Sequence, residues 1–119
     1  MHLDVDDLTS KRKTDSPYEI SSIIFEIYSK MSKFFLEKNS LTFFMGGDNF
    51  MVISSDDAKN SVRNFIDMIK NDNKISLNCG IGNGLTAREA VKLATKSLDT
   101  IREIRDSGKE KPEVYELSC

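Results

Sequence analysis

The run Leu41-Thr-Phe-Phe-Met-Gly-Gly-Asp-Asn-Phe-Met-Val-Ile53 admits few folds. Two apolar, strand-forming stretches flank the turn Gly46-Gly47-Asp48-Asn49, so the segment reads as a β-hairpin. Glycines at the turn permit positive φ and let a ligand approach the backbone closely. Asp48 and Asn49 then stand at the tip, a carboxylate and an amide on a rigid corner. The flanking strands are largely apolar on both faces, with Leu41, Phe43 and Met45 alternating with Phe44, and Phe50 and Val52 alternating with Met51 and Ile53. A strand with one face in water alternates apolar with polar residues, so both faces of this hairpin are expected to be covered. Helices of the same chain supply one cover, and a second copy or another domain supplies the other.

The segments around the hairpin define an order of elements. His2 to Asp6 reads as a short strand, with Leu3 and Val5 on one face and His2, Asp4 and Asp6 on the other. Ser16-Pro17 is a helix start, and Ile20, Ile23, Ile24, Ile27, Met31, Phe34 and Phe35 recur at helical spacing to about Lys38. Ser54-Ser55-Asp56-Asp57 caps a second helix with Val62, Phe65, Ile66 and Ile69 on its apolar stripe, and Asn71-Asp72-Asn73 reads as the following turn. Ile75, Leu77, Cys79 and Ile81 alternate with Ser76, Asn78 and Gly80, which predicts a strand. Gly80 to Gly84 reads as a glycine-rich exit loop, either cradling phosphate or simply leading into a last helix capped by Thr86. Val114 to Leu117 adds an edge strand.

The resulting β-α-β-β-α-β-α-(β) order predicts an α+β fold, a ferredoxin-like or palm-type antiparallel-rich sheet with helices on one face. In such a sheet the hairpin lies beside the first strand, and the Gly46 to Asn49 turn falls near Asp4 or Asp6. Two carboxylates so placed suit a divalent metal carrying a nucleotide triphosphate. Asp4, Asp48 and Asp6 are the candidate ligands of that metal. The chain of 119 residues, 39% hydrophobic, suits one palm-like domain spanning 1–119. A net charge of −2, with 30% charged residues of interspersed sign, argues against a nucleic-acid partner. No basic-then-apolar leader and no apolar run of membrane-spanning length is present, so a cytoplasmic protein without a membrane partner is expected. Cys79 and Cys119 make neither a disulfide framework nor a zinc-ligand spacing, and His2 reads as part of a frayed terminus.

Three segments together resemble the archaeal GTP cyclohydrolase III family, specifically the C-terminal half of those enzymes. They are His2-Leu-Asp-Val-Asp-Asp7, Phe43-Phe-Met-Gly-Gly-Asp-Asn-Phe-Met51 and Gly80-Ile-Gly-Asn-Gly-Leu-Thr-Ala87, in family order and at similar spacing. The resemblance runs from His2 to about Arg105, and its hairpin motif is the specific part. It implies a palm similar to nucleotidyl cyclases and to the GGDEF domains of diguanylate cyclases. It implies magnesium-dependent opening of the guanine imidazole ring of GTP, giving a formylaminopyrimidine nucleotide monophosphate and phosphate. Carried over by residue, it gives Asp4 and Asp48 as metal ligands and Asn49 as the group that orients phosphate or water, so Asp48 and Asn49 are the candidate catalytic pair. Gly46 and Gly47 are the candidate phosphate approach. Lys11 and Arg12, in the charged loop after the first strand, are candidate triphosphate cover or simply solvated.

The sequence departs from the family pattern in three ways. It holds one palm-like half where the family has a tandem of two, so a homodimer of half-length chains is expected to replace the duplication. Asp6 and Asp7 stand where the family has amides. Leu85 stands where the family has an arginine. Two other functions stay open on the same scaffold: a non-catalytic nucleotide-binding or regulatory palm, and a nucleotidyl cyclase-like activity. The expected ligand throughout is GTP or another purine nucleotide triphosphate.

Overall fold

The structure, a computed structural model, describes residues 1–6 and 16–119. Its order is β1 (His2–Val5), α1 (Pro17–Leu36), β2 (Leu41–Phe44), β3 (Asn49–Ile53), α2 (Asp56–Asn73), β4 (Leu77–Asn83), α3 (Ala87–Asp106) and β5 (Val114–Ser118). Each helix begins where a side-chain oxygen replaces a missing backbone acceptor. Ser16 and Glu19 form a reciprocal capping box before Pro17, Ser55 accepts from Ala58 N, and Thr86 accepts from Glu89 N. α2 continues through Asn71-Asp72-Asn73, which the sequence marks as a turn. It stops one residue later at Lys74, whose left-handed φ of 57° closes the helix, and Lys30 Nζ donates to Asn73 Oδ1 at 2.8 Å to hold that last turn.

The five strands lie in the order β2-β3-β1-β4-β5, antiparallel except for the parallel β4–β5 pair. The α+β palm-type sheet expected from the sequence is therefore present, with the hairpin beside β1. Side chains alternate across it. Leu3 lies opposite Phe50 and Cys79, and these residues pack with Ile27, Met31 and Phe35 of α1 and Phe65 and Ile69 of α2 in the main core. Phe34, Phe35 and Phe65 meet with ring centroids 5.1–5.4 Å apart, which ties α1 to α2.

The helices do not all lie on one face. His2, Asp4, Asn78 and Gly80 share the opposite face, and α3 covers it. The cause is a pair of glycines. A Cβ at Gly80 would stand 2.2 Å from Ala94 O, and one at Gly82 would stand 2.1 Å from Ala90 O, so only bare backbone lets α3 sit so close. Gly80 and Gly82 are thus strand residues packed on a helix, not an exit loop, because β5 pairs with β4 from Cys79 to Asn83 and prolongs the ladder. α3 reaches β3 but leaves much of the hairpin uncovered. Leu41, Phe43, Met45 and Ile53 remain 48–58% exposed, and β2 is an edge strand.

Candidate functional site

The β-ladder sets the site. Asp4 on β1 lies directly opposite Asn49 on β3 and Asn78 on β4, so a carboxylate is bracketed by two amides on the face beneath α3. Asp4 is only 4% exposed, and a carboxylate so buried requires partners. It has them. Arg102 donates to Oδ2 through Nη2 at 2.7 Å and Nε at 3.1 Å, while Asn78 Nδ2 donates to Oδ1 at 3.2 Å. The two-pronged guanidinium contact fixes geometry as well as charge.

A stripe of α3 runs along the polar face of β1. His2 Nδ1 meets Thr95 Oγ1 at 3.1 Å, Asp4 meets Arg102, and Asp6 Oδ1 lies 3.6 Å from Arg105 Nη1. Asp6 also receives Asn78 Nδ2 at 3.3 Å and faces Lys111 Nζ at 3.2 Å, and Lys111 donates to Asn78 Oδ1 at 2.6 Å. Acid and base therefore alternate along the strand–helix seam, which accounts for the burial of several charges at once.

At the hairpin tip Gly46 and Gly47 adopt φ of 91° and 58°, conformations that favour glycine. Asn49 N closes the turn onto Gly46 O at 3.1 Å. The Asn49 side chain bridges the two halves of the site: Nδ2 donates to Asp48 Oδ1 at 3.2 Å and Oδ1 meets His2 Nε2 at 3.0 Å. Because the Asp48 carboxylate only accepts, the amide nitrogen faces it. His2 Nε2 then donates to the amide oxygen, while Nδ1 makes its contact with the Thr95 hydroxyl. His2 is thereby anchored on both ring nitrogens and is not frayed.

Asp48 is half-buried. Burial and then the nearby Asp4 charge push its carboxyl above the ordinary range, against its own backbone hydrogen bond and the attraction of Arg102 and His2. A carboxyl raised chiefly by burial, with a second carboxylate near it, is one whose charged form a bound cation would restore. Next to it, a groove of about 610 Å3 runs from Gly47 and Asp48 along Phe44 and the first turns of α1, where Pro17, Ile20, Ile24 and Phe25 form an apolar wall. Its acidic end and flat apolar side suit a planar ring held beside a charged group.

Of the residues singled out from sequence, the fold brings Asp4, Asp48 and Asn49 together with Gly46 and Gly47 at the turn. Asp6 lies one step further along β1 among Asn78, Arg105 and Lys111. Asp7, Lys11 and Arg12 lie outside the described residues. Arg102, Asn78, Arg105, Lys111 and Thr95 were not anticipated. A signal for three of them exists: Thr95, Arg102 and Arg105 follow helical spacing beside the buried Ala94, Leu98 and Ile101, and the polar residues of β1 alternate to meet them. Leu85, just before α3, is 94% exposed.

The chain is 38% identical over 106 residues to GTP cyclohydrolase III of Saccharolobus islandicus (strain M.14.25 / Kamchatka #1), covering 89% of this chain and 44% of that protein. It is 33% identical over 117 residues to GTP cyclohydrolase III of Methanococcus maripaludis, covering 98% of this chain and 42% of that protein. The chain thus spans about half the length of these relatives. Among solved structures, the GGDEF domain of DgcB from Caulobacter crescentus, determined in complex with c-di-GMP, superposes with a TM-score of 0.65 at 11% identity, over 97% of this chain and 74% of that one. An EAL/GGDEF domain protein from M. capsulatus gives 0.63 at 16% identity, over 99% and 83%. Identities this low speak for the fold alone, a GGDEF-like palm. The GTP cyclohydrolase III family model matches residues 1–114, and the chain belongs to the GTP cyclohydrolase III family.

Proposed function

We propose that this chain binds magnesium and GTP at Asp4, Asp48 and Asn49 and, paired with a second copy, hydrolyses GTP to a formylaminopyrimidine nucleotide monophosphate and phosphate. The observation that carries the reading is geometric: the β1–β3 register sets the buried Asp4 opposite Asn49, next to Asp48 on the Gly46–Gly47 turn, so two carboxylates meet at one corner of the sheet.

The donor set fits magnesium. Among the described residues no group of three or more His, Cys, Asp or Glu forms a cage, but magnesium bound with nucleotide takes one or two carboxylates and fills its shell with phosphate oxygens and water. Asp4 and Asp48 are the two that would hold it. Bound there, magnesium supplies charge neutralisation on phosphoryl oxygens and acidifies water. The chain's own groups do the rest. Asn49, fixed by Asp48 and His2, orients phosphate or water with a side chain that has little freedom left. Among the described residues no atom lies within 4 Å of where a Cβ on Gly46 would stand, so none of them obstructs a phosphate approaching that backbone. The groove against Phe44 and α1 takes the base and excludes water from one of its faces.

A second copy covers the open face of the hairpin. Leu41, Phe43, Met45 and Ile53 form an apolar patch beside an edge strand, a combination that associates readily. The half-length match to the relatives leaves room for a partner palm. A cytoplasmic setting fits a chain in which no described helix is long and apolar enough to cross a membrane.

A second reading, a nucleotide-binding palm without turnover, is favoured by one feature: the exposed Leu85 occupies the position where an arginine is expected. Calorimetric titration with GTP, with and without magnesium, tests what both readings share. Binding should require magnesium and be lost in Asp48→Ala; equal affinity in chelator would remove the metal site. The solution mass should be that of a dimer, and a monomer at micromolar concentration would remove the paired arrangement.

A further inference from the structure

The Arg102–Asp4 contact raises a question that the proposed site leaves open. Both oxygens of Asp4 are engaged, Oδ2 by two nitrogens of Arg102 and Oδ1 by Asn78. A cation reaching Asp4 meets a guanidinium already seated there. Arg102 is also held from outside: its Nη1 lies 3.0 Å from Oδ1 of the exposed Asp99, one turn back on α3, and its Nη2 lies 3.5 Å from Asn49 Oδ1. The guanidinium therefore stands at the junction of Asp4, Asn49 and Asp99, about a third exposed, with a second carboxylate that keeps it in place when the first is withdrawn.

We propose that Arg102 is a built-in counter-ion for Asp4 that keeps the bare metal out and moves to the triphosphate when the metal arrives with nucleotide. The proposal rests on the reading of Asp4 as a metal ligand and adds to it an order of binding. Two positive groups cannot share one buried carboxylate cheaply, because their repulsion is strong at this depth. With metal alone, displacing Arg102 leaves a cation facing a cation. With metal and triphosphate together, the phosphate oxygens accept the two-pronged donor that Asp4 gives up, and the charges balance. Asp99 keeps the guanidinium aimed at the site during the exchange. The metal then binds well only in company with its nucleotide.

Electron paramagnetic resonance of free Mn2+, titrated with the whole chain, reads this exchange without turnover. For the wild type, Mn2+ binding should be weak and should tighten on adding a non-hydrolysable GTP analogue. In Arg102→Met, Mn2+ alone should bind at least about tenfold tighter, since one competing positive charge is gone, and the gain from the analogue should shrink. If Arg102→Met does not fold by circular dichroism, Arg102→Lys serves instead. Its point charge cannot grip Asp4 with two prongs, and Mn2+ alone should bind more tightly than in the wild type. Unchanged or weaker Mn2+ binding in the folded variant, with the wild type still binding Mn2+ plus analogue, overturns the exchange and leaves the metal site standing. A wild type that binds Mn2+ under neither condition overturns the metal site itself and the exchange with it.

Discussion

Substituting Gly80 by alanine should detach one wall of the site without touching it. The added Cβ would lie 2.2 Å from Ala94 O and 2.5 Å from Leu98 N, against an ordinary contact of 3.4 Å or more, so α3 must lift by at least about 1 Å. The obstruction is helix backbone, with no side chain free to rotate away, so the cost falls at the top of the usual overpacking range, about 3 kcal/mol or more. For a chain of this size that lowers the melting temperature by roughly 10–15 °C. Thr95, Arg102 and Arg105 ride on the same helix, so the 2.7 Å and 3.1 Å bonds from Arg102 to Asp4 should stretch together. Gly108→Ala is the control: its φ is +82°, but nothing lies within 4 Å, so only backbone strain of about 1–2 kcal/mol is expected. Urea unfolding of both variants measures the difference, and the Arg102 Nε–H resonance reports the seam. If Gly80→Ala is as stable as wild type, or more stable than Gly108→Ala, then α3 does not rest on β4 as described and the positioning of Arg102 fails with it.

Asp48→Asn should stabilise the nucleotide-free protein at neutral pH. The folded carboxyl titrates above its ordinary value of 3.8, chiefly through burial and then Asp4. The folded state therefore binds more protons than the unfolded one in the window above 3.8, and stability falls as pH rises through it. The advantage of the amide should vanish at acid pH, and thermal melts at pH 3 and pH 7 check this; a variant less stable than wild type at pH 7 contradicts it. Cys79 is buried, and that burial pushes its thiol up to about 12, whereas Cys119 is exposed. A thiol reagent should modify one group rapidly in the native protein and the second only on unfolding; two fast equivalents would count against the core as drawn. Phe43→Lys, on the open face of the hairpin, should reduce the proposed dimer to monomer with little change in melting temperature, since the side chain is 48% exposed in the single chain. Sedimentation velocity reads the change, and an undisturbed dimer would place the interface elsewhere.

The hairpin, β1 and every helix start were legible because their causes are local: alternation, a turn sequence, a serine or threonine before an apolar stripe. The meeting of Asp4 with the Asp48 turn was legible too, since a β-α-β-β order leaves the hairpin little choice of neighbour. What escaped were long-range consequences. Gly80 and Gly82 resemble a loop in sequence, yet they are strand residues whose missing side chains admit α3 on the second face. The element order alone put all helices on one face, so Arg102, 98 residues from Asp4 and on the helix that covers the second face, was not anticipated. Asn78 escaped for the same reason: its role exists only once β1 and β4 are paired. The doubly apolar pattern of the hairpin is borne out only as a pattern: Leu41, Phe43, Met45 and Ile53 stand exposed among the described residues.

The most direct test is to identify what the chain makes from GTP and magnesium, by phosphorus resonance and mass spectrometry of the products. The expected outcome is inorganic phosphate together with a ring-opened formylaminopyrimidine nucleotide monophosphate, both absent in Asp48→Ala. Unchanged GTP at stoichiometric protein, or pyrophosphate with a cyclic product, would contradict hydrolysis at the Asp4–Asp48 site.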